Sequence, residues 1–259
     1  MNEKLRPLIL LTNDDGFEAP GLRALAEAVA GMGDVIAAAP ETAQSGKSSA
    51  ITVEGPLFIK ERGELAGAQL FSINGTPVDC VKLALDVIVP RKPALVLSGI
   101  NHGSNTGNAV IYSGTMGAAQ EACMAGVPSV GFSLTHHSIA ADFSLSLPLV
   151  KAITASVLEK GLPEGVCLNV NIPAKVTPKG ARAARAARGY WTDEYERYRT
   201  PSGQSFYWLK GEFINIDADR TDTDEYWLSE DYISVVPVAP ENPELDLPRL
   251  LPQIQTLLP

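Results

Sequence analysis

The chain is poor in the residue types that staple small domains or bind soft metals. Only three cysteines occur among 259 residues, Cys80, Cys123 and Cys167. None stands in CxxC spacing, which argues against a zinc knuckle or a disulfide framework, and each lies in an apolar context that reads as core packing. Positive charge is scarce as well: 21 Lys and Arg stand against 30 Asp and Glu, a formal net charge of −9. A general nucleic-acid binder needs the opposite balance. A small phosphorylated ligand held by backbone amides and a metal stays open. No apolar run approaches the ~20 residues that span a bilayer, which leaves no expected membrane partner. The opening residues, Met1-Asn2-Glu3-Lys4-Leu5-Arg6-Pro7, lack a signal peptide's apolar stretch, so the expected setting is the cytoplasm. No internal repeat or low-complexity tract is visible.

What is present is a hydrophobic share of 45% with 20% charged residues, enough for one large α/β domain. The most informative stretch is Leu8-Ile9-Leu10-Leu11-Thr12-Asn13-Asp14-Asp15-Gly16. Its apolar half reads as a strand buried on both faces. Asp14 and Asp15 then fall just beyond the strand's carboxyl end, where open α/β sheets bind ligands. Two carboxylates ~4 Å apart repel by roughly 4 kcal/mol at an effective dielectric of about 20. That is enough to protonate one or recruit a cation, and a hard divalent metal is the natural partner.

Strand-like and helix-like segments alternate through the first two-thirds. A helix over 21–30 follows the first strand, and a second strand covers 34–39. A polar loop, 41–49, leads to β-rich stretches at 51–53 and 57–59. Gly75-Thr76-Pro77 opens a helix whose apolar positions are Val78, Val81, Leu85 and Val89. Further strands are predicted at 93–97, 127–133 and 167–173, with helices over 115–124 and 149–159. The alternation predicts a doubly wound, mostly parallel sheet over 1–187. The character then changes: residues 188–232 hold eleven of the 17 aromatic residues. The alternation in Gln204-Ser205-Phe206-Tyr207-Trp208-Leu209-Lys210 fits an extended β-hairpin arm used in oligomerisation. Residues 233–259 supply a closing strand and a Pro-interrupted helix over 245–258. A basic run over 175–188, with Arg182, Arg185 and Arg188 at three-residue spacing, is either a solvated face or a rim that steers anions.

Two other post-strand loops are rich in polar groups. Gln44-Ser45-Gly46-Lys47-Ser48-Ser49 tempts a P-loop reading, but the glycine required five residues before Gly46 is Glu41. Ser45 is a turn cap or a hydroxyl ligand, with Gly46 permitting close backbone approach. Asn101 is a turn former or an amide-oxygen ligand, with Asn105 four residues later. His102 is an exposed neighbour of Asn101 or a general acid. His136 and His137 lack matching Cys or carboxylate spacing and read as surface loop. Ser113 or Thr115 caps the next helix, and the same helix end offers a phosphate cradle. Asn169 and Asn171 read as strand-end residues.

Five pieces stand in one order along the chain: Asn13-Asp14-Asp15-Gly16, then Ser45-Gly46 with Ile51-Thr52, then Gly75-Thr76-Pro77-Val78-Asp79-Cys80-Val81, then Ser98-Gly99-Ile100-Asn101-His102-Gly103-Ser104-Asn105, then Tyr112-Ser113-Gly114-Thr115. Together they resemble the survival protein E (SurE) family of metal-dependent 5′/3′-nucleotidases. Asp222, Thr223, Asp224 and Ser234-Val235-Val236-Pro237 also look familial. The resemblance implies a Rossmann-like α/β domain whose carboxyl-terminal region is exchanged between subunits of a homodimer or homotetramer. It implies Asp14, Asp15, Ser45 and Asn101 as metal ligands, and Gly46, Asn105, Ser113, Gly114 and Thr115 around the phosphate. Met116 stands where valine is frequent, and Ala122 where glycine is frequent, which questions local packing.

The expected reaction is metal-assisted hydrolysis of nucleoside 5′- and 3′-monophosphates, with Mg²⁺ or Mn²⁺ suited to oxygen ligands. Adjacent Asp14-Asp15 lack the DxD spacing of aspartyl-phosphate phosphatases, which favours water as nucleophile. The rival expectations are a broader phosphatase or exopolyphosphatase, and a non-catalytic metal- and nucleotide-binding sensor.

Overall fold

A computed structural model describes residues 6–136, 141–174, 176–241 and 246–258. In chain order the strands of the first two-thirds are β1 (Leu8–Thr12), β2 (Asp34–Pro40), β3 (Ile59–Leu65), β4 (Ala68–Ile73), β5 (Leu95–His102), β6 (Ser129–Leu134) and β7 (Cys167–Ile172). The remainder are β8 (Ala181–Ala183), β9 (Gly189–Thr192), β10 (Tyr195–Arg199), β11 (Ser205–Leu209), β12 (Glu212–Asn215) and β13 (Ile233–Val238). The helices are α1 (Pro20–Val29), α2 (Pro77–Leu83), α3 (Gly114–Met124), α4 (Leu147–Lys160), α5 (Asp224–Ser229) and α6 (Leu247–Gln255). Among the described residues, no helix is long and apolar enough to cross a membrane.

Nine strands share one sheet in the order β3-β4-β2-β1-β5-β6-β7-β13-β8. From β4 to β7 every neighbouring pair is parallel, as the alternation predicts. The winding runs one way from β1 to β2 and β4, and the other way from β5 to β7. The carboxyl ends of β1 and β5 therefore flank the switch point, where doubly wound sheets open a crevice.

Alternate residues of β1 enter opposite layers, as strand geometry requires. Ile9 and Leu11 pack with Leu25, Val29, Phe132 and Ile153, so α1 and α4 cover one face. Leu8 and Leu10 pack with Val81, Ala118 and Ala122, so α2 and α3 cover the other. Met116, the departure noted above, is fully buried, and a Cβ on Gly131 would lie 2.5 Å from its sulfur. A glycine on β6 thus makes room for the longer side chain.

The structure departs from the sequence-based expectation in several places. No strand forms over 51–58. Ile51 and Val53 are 51% and 78% exposed there. The real hairpin is β3–β4, joined by Ala66 and Gly67 at φ of 50° and 84°, the two-residue turn that suits strand twist. Its outer strand, Ile-Lys-Glu-Arg-Gly-Glu-Leu, is a charged edge, as sheet edges tend to be. After Leu83, α2 passes into a wider π-type turn over Ala84–Ile88.

Of the three arginines Arg188 is exposed and Arg182 and Arg185 are half-buried, and each has a partner on the carboxyl-terminal segment. Arg182 stacks over Tyr232 at 4.3 Å, Arg185 pairs with Asp222 at 3.1 Å, and Arg188 with Asp217 at 2.7 Å. All three cysteines are buried and free. Lys175, His137 and Leu245, which figure in the expectations above, lie outside the described residues.

Candidate active site at the sheet switch point

Asp14 leaves the end of β1 and is buried, 4% exposed. Its Oδ1 accepts the Thr115 hydroxyl at 2.6 Å. Burial pushes its carboxyl up to about 6, against the lowering effect of the Thr115 hydrogen bond, and the charge of Asp15 adds to the rise. The start of α3 abuts it: a Cβ on Gly114 would lie 2.8 Å from Asp14 Cβ and 3.0 Å from Oδ2. Ser113 caps this helix by accepting from the Met116 amide at 3.0 Å. The positive helix end is thereby set against a carboxylate. Asp15 is held separately. Its Oδ2 faces the His102 amide at 3.3 Å and His102 Nδ1 at 3.1 Å.

Asn101, at the end of β5, donates its amide nitrogen to the Gly103 carbonyl at 2.9 Å. Its side-chain oxygen is left for another partner. Three of the four expected ligands therefore have one side-chain atom fixed by a neighbour: Asp14 by Thr115, Asp15 by His102 and Asn101 by Gly103. Such orientation by surrounding hydrogen bonds is typical of ligand sets. Among the described residues no three His, Cys, Asp or Glu converge. An ion here would be completed by neutral oxygens, and the donor set suits a hard cation.

Asn105 is anchored from below by residues the sequence did not single out for this role. Its amide donates to Asn171 Oδ1 at 2.7 Å, its side chain to Ser133 Oγ at 2.7 Å, and its carbonyl accepts from Asn169 at 2.8 Å. Asn169 and Asn171, on β7, are thus internal supports of the site. Asp224 is a second such group. It accepts from the Gly107 and Ala187 amides, both at 2.8 Å, and from the Glu225 amide at 2.9 Å. Burial nevertheless raises its carboxyl above the ordinary range.

The loop bearing Ser45 and Gly46 reaches the same place by several pins. The Gln44 amide donates to the Asp14 carbonyl at 2.7 Å, and Ser48 donates its amide to Tyr112 and its hydroxyl to Ile111. Farther along, Asp79 accepts from the Thr52 amide and hydroxyl at 3.0 and 2.6 Å while capping α2 through Thr76.

A cleft of about 520 Å³ opens over these groups, lined by Asp14, Ser45, Gly46, Asn101, Asn105 and Ser113 among others. Six of the nine predicted site residues line it. Asp15, Gly114 and Thr115 stand directly behind, and the Thr115 hydroxyl is committed to Asp14. His102 also lines the cleft, but with little exposure, and rests edge-on to Phe143 at 5.3 Å.

The profile of the family described as "Survival protein SurE" matches residues 9–193. A protein of Phocaeicola vulgatus named 5′-nucleotidase SurE is 47% identical, covering 91% of this chain and 91% of that protein. One of Christiangramia forsetii with the same name is 49% identical, with 92% of each covered. The crystal structure of the SurE protein from Aquifex aeolicus superposes with a TM-score of 0.79 at 34% identity, over 96% of this chain and 100% of that one. Sequence, architecture and extent agree, and the chain belongs to the SurE family.

Proposed function

We propose that the protein is a divalent-metal-dependent phosphomonoesterase that hydrolyses nucleoside monophosphates to nucleoside and phosphate. The observation that carries this reading is one cleft lined by Asp14, Ser45, Asn101 and Ser113 at the start of α3, with Asp15 directly behind. The name 5′-nucleotidase on relatives aligned over nine-tenths of the chain supports the nucleotide half.

Asp14, Asp15, Ser45 and Asn101 would hold one Mg²⁺ or Mn²⁺ per subunit. Such an ion, when bound, supplies Lewis-acid polarisation of the phosphate ester. The α3 end at Ser113, Gly114 and Thr115 receives the anionic phosphoryl oxygens through backbone dipoles. Gly46 lets the loop backbone approach, and Asn105 presents a side chain fixed by its buried supports. Thr115 and His102 each grip one carboxylate oxygen. This clamping suits the aspartates to ligation over attack on phosphorus and favours water as nucleophile. We read residues 1–187 as the catalytic unit and 188–232 as an arm that joins copies of the chain into a dimer or tetramer.

The test is phosphate release from 5′- and 3′-mononucleotides with Mn²⁺, Mg²⁺ or EDTA, using wild type and Asp14→Asn. Metal-dependent turnover abolished by the substitution is expected. Folded protein that binds nucleotide but turns none over with any metal would overturn the proposal.

A further inference from the structure

The cleft is chemically lopsided. One end presents Asp14, Ser45, Asn101 and Ser113, while the opposite wall comes from the root of the arm: Trp191, Glu194, Tyr195, Leu209 and Lys210. A phosphoryl group fills little of about 520 Å³, a volume in the range of sites for whole small molecules. The rest is room for a leaving group.

A bend in the arm creates that wall. The ribbons β9–β12 and β10–β11 are successive stretches of one hairpin. Between them Asp193 and Gly211 adopt φ of 48° and 80°, values in the left-handed region. The Lys210 amide donates to the Glu194 carbonyl at 2.8 Å across the bend. A Cβ on Gly211 would lie 3.3 Å from the Trp191 ring, so the glycine leaves the indole its place. Phe213 braces that indole from the partner strand, ring centres 5.7 Å apart. Tyr195 pairs directly with Leu209, so both project from one face of the ribbon. They stay 67% and 68% exposed.

The wall is tied to the phosphate end. Asn108 donates to the Gly189 carbonyl at 2.9 Å, and a Cβ on Gly107 would meet Phe213 at 2.9 Å. Both residues belong to the turn, Gly107–Tyr112, that delivers Ser113. Aromatic wall and helix end are therefore two ends of one short seam. A ligand that fits has an anion at one end and a flat apolar group at the other.

Building on the nucleotidase reading above, we infer that Trp191 and Tyr195 determine specificity by receiving the nucleobase while the phosphate lies at Ser113 and Gly114. Every base has a π-face, so stacking here accepts all of them. It ranks substrates by ring area, purines above pyrimidines and both above a bare sugar phosphate.

The experiment compares wild type, Trp191→Ala, Trp191→Phe and Tyr195→Ala on AMP and on ribose 5-phosphate, with Mn²⁺ present. For AMP, Trp191→Ala is expected to lower kcat/KM about 10-fold, chiefly through KM. Ribose 5-phosphate turnover stays at the wild-type value, and Trp191→Phe restores most of the loss. Equal losses on the two substrates make the wall a structural support and overturn the inference, as does no loss on either. Wild type that turns over ribose 5-phosphate but no nucleotide defeats the nucleotidase reading itself, and the inference with it.

Discussion

A carboxylate buried beside a second carboxylate is a local defect until something positive joins them. Asp14 is such a group, with its carboxyl pushed up to about 6. Asp14→Asn keeps the shape and removes the buried charge. The expected outcome is a loss of turnover of more than about 100-fold, while the melting temperature in EDTA holds or rises. A melting point in EDTA well below wild type would mark Asp14 as a structural residue. Gly114→Ala sets two effects against each other. Alanine is the better helix former by about 1 kcal/mol, yet its methyl would meet Asp14 Cβ at 2.8 Å, where the backbone cannot yield. Displacement of Asp14 should win, and titration calorimetry should show weaker Mn²⁺ binding than in wild type.

Among the elements, the loop over 41–52 depends most on remote support. It has no regular structure of its own, and Asp79 on α2 holds its far end. Burial raises that carboxyl, but hydrogen bonds from Thr52 and Thr76 outweigh it and leave the group below the ordinary range. Asp79→Ala removes a helix cap and strands Thr52, a loss of about 3 kcal/mol in urea unfolding. KM for nucleotide should rise further than kcat falls, because Gly46 loses its place before Asp14 does. An unchanged KM would show that the loop needs no such pin. The starts of α1, α2 and α3 were legible in the sequence to within a residue or so, because the signals at Thr76 and Ser113 are local: a cap three residues before the amide it accepts from. The attachment of Thr52 to Asp79 spans 27 positions and leaves no local trace. The same holds for the Asn105 supports, 64 and 66 positions away. β3 escaped notice for another reason, since its burial pattern is that of a charged edge and carries no alternation to read.

For the molecule as a whole, the carboxyl-terminal third is woven into the sheet, not hung from it. β13 and β8 complete one side of it, and the arm's root is tied down by Arg185 with Asp222 and Arg188 with Asp217. Hydrogen bonds from Arg188 draw Asp217 down to about 2 from an ordinary 3.8. A carboxyl depressed in the folded state contributes stability that is present above 3.8 and lost as pH falls through about 2. The arm's root should therefore loosen between those values. Hydrogen exchange should then quicken in β9 and β12 before it does in β1, and uniform protection across both regions would contradict the assignment. The proposed metal would act on the whole fold as well: an ion that binds only the folded site, present at 100 times its dissociation constant, should add about 2.7 kcal/mol to stability, and EDTA should remove it.

Asp224 has a bearing on how the molecule comes into being. Its carboxylate steadies the turn that delivers Ser113, yet it lies 117 positions beyond Gly107, whose amide it holds. A growing chain carries Asp14, Asn101 and Ser113 long before it carries the residue that holds the turn leading to Ser113. On the proposed function, a chain made from the amino terminus is expected to gain activity only near the end of translation. Fragments that end before Asp224 hold most of the proposed site side chains and should hydrolyse nothing.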